Sequence, residues 1–315
     1  MKHIPVLLDE VIAQISEIPV RDQIFVDCTF GRGGHTREIL KARGDFKILG
    51  LDCDAEAIEF GRKEFANDLS SGRLELKRMN FSDFDKLISE EKYKNKQFGG
   101  FLLDLGVSSP QLDEGHRGFS FYHDGPLDMR MDQSQTFSAA DIINTWDEDG
   151  LNELFKNYGE VRRPYRVTQK IIDARKERAF STTGELSALI EKAEGWQKKG
   201  HHPATNYFLA LRLEVNQELA RVEKILPTLA NSLLPGGRLL VITFHSLEDR
   251  LVKVAMKALA ASGLGEIVNK KVIQANWEQK KQNPRSRSAK LRVFSRGVIE
   301  TKPFKNYQKG EPRES

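Results

Sequence analysis

Three aspartates close stretches that read as β-strands, and each is followed by residues able to bind a ligand. Asp27 precedes Cys28-Thr29-Phe30-Gly31-Arg32-Gly33-Gly34-His35-Thr36, Asp52 follows 25 residues later, and Asp104 opens Asp104-Leu105-Gly106-Val107-Ser108-Ser109-Pro110-Gln111. A glycine-rich turn between strand and helix bends tightly and leaves room for a ligand. A carboxylate at the end of the second strand suits both hydroxyls of a ribose, which serves a dinucleotide and a nucleoside sulfonium equally. Two features favour the sulfonium. Thr36 stands where a dinucleotide turn of the G-x-G-x-x-G kind has its third glycine, and an acidic residue such as Asp27 matches a cation better than a pyrophosphate.

At the end of the fourth strand Asp104, two serines and Gln111 gather a carboxylate, hydroxyls and an amide, the set expected around an acceptor amine. A ring-conjugated amine becomes nucleophilic only when acceptors hold its N–H groups and let the nitrogen pyramidalise. Asp104, Ser108 or a nearby backbone carbonyl can do this. Phe81, after the third strand, is placed either to stack on an adenine or to fill the core. No metal site is expected: Asp124, Asp128 and Asp132 lack a His or Cys partner at ligand spacing and read as caps, turn residues or ion-pair partners.

The positioning elements follow from hydrophobic period and caps. Strands are predicted at 24–28, 47–52, 74–77 and 99–105, with helices over 34–42 and 54–65, the alternation of a parallel sheet. From about 113 to 205 helical stretches take over, with cap signals at Ser138, Asp147 and the Thr182/Glu185 pair. Alternation returns with one long helix over 206–233, a Pro235-Gly236-Gly237 turn, a strand over 238–244 and a helix over 247–260. The segments 266–273 and 290–295 are expected to pair as a terminal antiparallel hairpin. The fold class is therefore α/β, a Rossmann-like and mostly parallel sheet. Its core is divided into 1–112 and 206–315 by a helical insertion at 113–205.

Charge is uneven. The whole chain carries +4, but residues 270–313 hold 13 Lys and Arg against three Glu, leaving the remainder at −6. A basic end on an acidic body fits a polyanion such as RNA; a solvated tail has the same composition. Arg162, Arg163, Arg166 and Lys170 form either a phosphate-contacting stripe or an ordinary wet helix face. The N-terminus lacks the features of a secretory signal, no apolar run approaches the ~20 residues of a membrane span, and Cys28 and Cys53 are not expected to pair. A cytoplasmic protein is the expectation, with no membrane partner and an oligomeric state, a dimer included, left open. Trp146, Trp196 and Trp277 are assigned to packing, and His245 to a bond with Glu248 or Asp249 rather than to a role as a base.

Long motifs carry a resemblance over nearly the whole chain. They include His3-Ile4-Pro5-Val6-Leu7-Leu8-Asp9-Glu10-Val11, the turn from Asp27 to Thr36, the stretch from Asp104 to Asp113, and Arg117-Gly118-Phe119-Ser120-Phe121. Asp124-Gly125-Pro126-Leu127-Asp128-Met129-Arg130-Met131, Asn157-Tyr158-Gly159-Glu160, His202-Pro203-Ala204-Thr205, Phe244-His245-Ser246-Leu247-Glu248-Asp249-Arg250 and Pro284-Arg285-Ser286-Arg287-Ser288-Ala289-Lys290-Leu291-Arg292 continue it. Together these resemble the bacterial 16S ribosomal RNA cytosine-N4 methyltransferases of the MraW or RsmH type. The resemblance implies S-adenosyl-L-methionine as cofactor, held by Gly33, Gly34, His35, Asp52, Phe81, Asp104 and Gln111. It also implies a cytidine of the decoding region of 16S rRNA, in the small ribosomal subunit, as methyl acceptor. Asn206 and Val161 depart from the family pattern, which bears on the insertion's packing or RNA contacts and not on the cofactor site. Two rivals remain: an NAD-dependent oxidoreductase, and a non-catalytic ribosome-assembly protein built on the same fold.

Overall fold

The computed structural model describes residues 5–195 and 202–297; Trp196 and the basic stretch beyond 297 lie outside the described residues. Strands β1 (Ile24–Asp27), β2 (Lys47–Asp52), β3 (Leu74–Arg78), β4 (Phe98–Asp104) and β5 (Leu233–Thr243) are followed by β6 (Gly265–Ile267), β7 (Ile273–Gln274) and β8 (Lys290–Arg296). The sheet order is β3-β2-β1-β4-β5-β8-β6, with β7 also on β8. β1 to β5 pair in parallel, and β8 runs antiparallel to β5. The terminal hairpin is thus a three-way arrangement, in which both short strands pair with β8.

Each inner strand is apolar on both faces, as a sheet covered on both sides requires. Val26, Leu49, Leu51, Phe101, Leu103, Leu239 and Val241 face a core shared with the Glu218–Ser232 and Ser246–Ala261 helices. Their neighbours Phe25, Ile48, Leu102, Leu240 and Ile242 face another, shared with the Leu8–Ser16 and Gly34–Ala42 helices. Strand order reverses between β2-β1 and β4-β5, so the crevice at the carboxyl ends of β1 and β4 is where an open α/β sheet takes its ligand.

Helices between β4 and β5 build a third apolar cluster running from Phe119 to Val215. All three expected caps hold: Ser138 and Thr182 form reciprocal capping boxes, and Asp147 accepts from Gly150 N. The expected single helix over 206–233 is two, Thr205–Val215 and Glu218–Ser232, broken where Gln217 takes φ +50°. The break lets buried Asn216 accept from Met131 N (2.8 Å) and donate to Met129 O (2.8 Å) and Arg212 O (2.9 Å). The first of the two helices contributes Tyr207, Phe208, Leu211 and Val215 to the third cluster, so this helical core runs past residue 205. Pro235-Gly236-Gly237 lies inside β5 as an irregularity opposite Phe98 and Gly100, instead of preceding the strand. Removing the Asn216 amide strands buried backbone groups, each costing ~1–3 kcal/mol. Asn216→Ala is expected to lower stability by about that amount in denaturant titration, with the slope unchanged.

Candidate active site at the sheet edge

Asp27, Asp52 and Asp104 end β1, β2 and β4 at the ligand-bearing edge. Gly31 (φ +54°) and Gly33 (φ +68°) give the turn its left-handed backbone. A Cβ on Gly33 would lie 2.6 Å from the Phe65 ring, and one on Gly34 2.6 Å from Pro5 Cγ. These two glycines therefore let the Gly34–Ala42 helix seat against its neighbours. Gly31 has its nearest outside atom at 3.9 Å and supplies the open space. The first N–H groups of the helix that starts at Gly34 lack intrahelical partners and favour a carboxylate there.

Each carboxylate has a distinct environment. Asp27 is 2% exposed; its oxygens accept from Thr29 N (3.3 Å) and Thr36 Oγ1 (2.6 Å). It lies beneath the turn, with both oxygens held by the turn's own residues. Thr36, the residue that breaks the dinucleotide pattern, is thus the hydroxyl that holds Asp27. Asp52 accepts from Gly31 N (2.7 Å) and Asp54 N (2.8 Å), one bond per oxygen, so each oxygen keeps a lone pair for a ribose hydroxyl. Asp104 Oδ1 is buried with no hydrogen-bond partner, while Oδ2 lies 3.7 Å from His35 Nδ1. His35 is itself buried, with Nε2 3.0 Å from Val6 O, so the ring is committed to the protein and its backbone N–H is the group offered to a ligand. Phe81, after β3, is half-buried against the core beneath.

Burial pushes the Asp27 and Asp52 carboxyls up to about 6. It pushes Asp104 up to about 8, helped by the charges of Asp27 and Glu248. The Asp104 side chain is still 26% exposed toward the cleft, and water there opposes the rise. Burial alone would raise Glu248 too, but His245, with Nε2 3.0 Å away, and Arg212 hold it below the ordinary carboxylate range. His245 has the structural role expected of it. Burial also pushes both cysteine thiols up, and neither is in a disulfide, so no thiolate nucleophile is provided.

Sequence reasoning missed the pair that braces the cleft. Asp54, just beyond β2, caps the Ala55–Glu64 helix through Glu56 N and accepts from Arg117 Nη1 (2.8 Å) and Gln111 Nε2 (2.9 Å). Gln111 Oε1 in turn accepts from Ser108 N (2.9 Å). Gln111 therefore ties the Ser108 loop to β2, with both ends of its amide used inside the protein. Arg117 is 1% exposed, and its second nitrogen reaches Arg130 O and Met131 O. The lone sequence signal for this was a charged residue, Arg117, opening the motif Arg117-Gly118-Phe119.

Other assignments divide. Asp124, Asp128 and Asp132 serve backbone N–H groups, Arg130 and Arg78, as turn and ion-pair residues. Trp146 packs on the helical cluster, but Trp277 is 73% exposed beneath Lys281, so its assignment to packing fails. Within the basic end, Lys290 and Arg292 are paired with Asp249, which makes part of that charge structural.

Residues 1–297 match the profile described as the MraW methylase family. The chain belongs to that family. It is 51% identical over 300 residues to the ribosomal RNA small subunit methyltransferase H of Bdellovibrio bacteriovorus, covering 94% of this chain and 88% of the relative. The proteins of the same name from Crocosphaera subtropica and Elusimicrobium minutum are 43% and 42% identical, over 93% and 92% of this chain and 89% and 97% of theirs. This MraW-family chain is a methyltransferase, and S-adenosylmethionine is the donor that the resemblance of its motifs implies. The cleft fits that donor: helix N–H groups for a carboxylate, Asp52 for a ribose, and buried negative charge for a cation.

Two consequences are measurable. Asp27, Asp52 and Asp104 have folded-state pKa values above those of the unfolded chain, so folding favours their protonated forms. Their stabilising contribution is full below about pH 4 and is lost as pH rises through about 6 and then about 8. Asp104→Asn should melt above the wild type at pH 8.5, with the gap closing toward pH 5 in calorimetry; a gap independent of pH would refute this. Arg117→Ala leaves Asp54 buried without its cation, and should cost ~3–5 kcal/mol in equilibrium unfolding.

Proposed function

We propose that this enzyme methylates the exocyclic N4 amine of a cytidine in the decoding region of 16S ribosomal RNA. The family membership and the names of its relatives support a small-subunit rRNA substrate. The observation that carries the chemistry is the partnerless, buried Asp104 Oδ1 at the end of β4. An unmet buried acceptor costs ~1–3 kcal/mol, and a turn of this carboxylate, whose side chain is 26% open to the cleft, brings that oxygen to an entering N–H donor.

S-adenosylmethionine supplies an electrophilic methyl group on a positively charged sulfur. Gly34 and His35 would hold its carboxylate end by backbone N–H groups, with Gly33, whose own N–H is donated to Phe30 O (2.7 Å), shaping the turn beneath; Asp52 would take its ribose, and Phe81 would border its adenine. Asp104 would serve the cofactor site as well as the catalytic one, since a carboxylate at the end of β4 favours a cation beside it. Gln111 contributes by fixing the Ser108 loop against Asp54. Asp104, with Ser108 beside it, accepts the amine's N–H bonds, so that the nitrogen pyramidalises and its lone pair faces the methyl. Binding a cation beside Asp104 favours its ionised form, which can then take the proton the amine must lose. The target base enters unstacked, because a stacked amine cannot reach a carboxylate at the bottom of a cleft.

The helical segment at 113–205 and the exposed basic residues of the C-terminal part form the RNA-facing surface in this reading. Arg162, Arg163, Arg166 and Lys170 are all exposed. No helix among the described residues is long and apolar enough to cross a membrane, and the place of action is the cytoplasm, where small subunits are assembled.

Labelled methyl transfer to undermethylated small subunits, read by nucleoside mass spectrometry, should yield N4-methylcytidine. Naked 16S rRNA run in parallel decides which form is the substrate. Asp104→Asn should lower kcat by ~10²–10³. Turnover at the wild-type rate in that variant removes Asp104 from the mechanism.

A further inference from the structure

A cavity of about 500 Å³ opens in the helical segment, lined by Glu160, Arg162, Arg163, Glu194, Asn206 and Tyr207 among others. Its size is that of a small-molecule site, ~300–1,000 Å³. One wall is tied to the carboxyl-end edge of the sheet. Glu160 accepts from Ser246 Oγ and lies 3.5 Å from Arg250 Nη2. Ser246 opens the helix just beyond β5, and Ile242 of β5 is in register with Asp104 of β4.

The turn that makes this wall is built under constraint. A Cβ on Gly159 would sit 2.7 Å from Phe155 O and 2.8 Å from Asn206 O, so backbone packs on backbone there. Glu160 follows in the left-handed region, at φ +51°, a conformation with a cost for a non-glycine residue. The motif Asn157-Tyr158-Gly159-Glu160 thus holds the cavity against the core of the enzyme.

The unbalanced charge in the cavity is positive. Glu160 is paired with Arg250 and accepts from Ser246, so Arg162 and Arg163 stand against Glu194 alone, which accepts from Tyr207 Oη. Arg162 and Arg163 are exposed and have no carboxylate partner among the described residues. Next to Pro203, which also lines the cavity, His202 stacks on Phe121 with centroids 4.6 Å apart, and Tyr122 beside them is 74% exposed. Unpaired guanidinium groups beside an aromatic shelf are what a single-stranded nucleic acid requires: phosphate contacts and a surface for stacking.

We propose that this cavity is a subsite for the nucleotide adjacent to the target cytidine. Its phosphate lies against Arg162 and Arg163, its base edge meets Glu194 and Asn206, and the strand continues over Tyr122. This rests on the RNA reading above. It makes the cavity the element that turns the base out by gripping the neighbouring residue.

The test is the double variant Arg162→Ala/Arg163→Ala, with undermethylated small subunits as substrate. KM should rise about tenfold with kcat within about twofold. Loss of two phosphate contacts should flatten the log–log salt dependence of RNA affinity by ~1.4, at ~0.7 per contact on a single strand. S-adenosylmethionine affinity by calorimetry should match the wild type, which separates the effect from misfolding. The double Lys variant should restore the salt slope and part of the KM. A double Ala variant with wild-type KM and salt slope, on subunits that the wild type methylates, overturns the subsite alone. A wild type that neither binds nor methylates rRNA overturns the RNA reading and the subsite with it.

Discussion

The buried ion pair between Asp54 and Arg117 is the interaction on which the cleft depends. One carboxylate caps a helix of the core, receives a guanidinium from the start of the helical segment, and anchors the loop after β4 through Gln111. The loops beyond β2 and β4, and the segment inserted after β4, therefore share one charged center. A buried ion pair contributes little net stability, because desolvation offsets the attraction. What it provides is geometry, since losing either partner leaves a charge in the interior and the three pieces lose their common reference.

Around that brace the enzyme gathers negative charge where a folded chain would ordinarily avoid it. Asp27, Asp52 and Asp104 converge on one sheet edge, and burial raises all three carboxyls. Asp27 is neutralised in part by Thr29 and Thr36, and Asp52 by two backbone N–H groups, but Asp104 has an oxygen with no partner. The site is thus least satisfied where the amine and the cationic donor meet. Stability is given up there for affinity toward positive charge and N–H groups, and the cost falls on the apo protein at high pH.

The helical segment is attached to this edge at more than one place. Arg117 joins it to β2, Asn216 pins the 129–131 backbone to the helix break, and Glu160 meets the helix after β5. These contacts fix the segment to the α/β core at several separate points. The third apolar cluster gives the segment a core of its own.

Much of this was legible in the sequence, because it depends on local pattern. Strand positions follow from apolar runs, the helices starting at Ala139, Glu148 and Thr183 from their caps, and the three aspartates from their place at strand ends. The motifs by themselves carry the resemblance to rRNA cytosine-N4 methyltransferases, since so many spaced residues in order are far more specific than any single turn. What the sequence left undecided depends on partners distant along the chain. Asp27 reads as a ligand contact until Thr36 is seen to cover it, and Gln111 reads as a free amide until Asp54 and Ser108 take both its ends. Helix 206–233 reads as continuous because its period is unbroken, yet Asn216 interrupts it to satisfy a backbone 85 residues away. Trp277 reads as core because indole is apolar, but it lies on the open face of a short helix whose other side meets Glu10 through Gln279. Which polar groups remain unsatisfied, and therefore available for chemistry, is a property of the assembled interior, where every donor and acceptor is allocated; only the tertiary structure decides it.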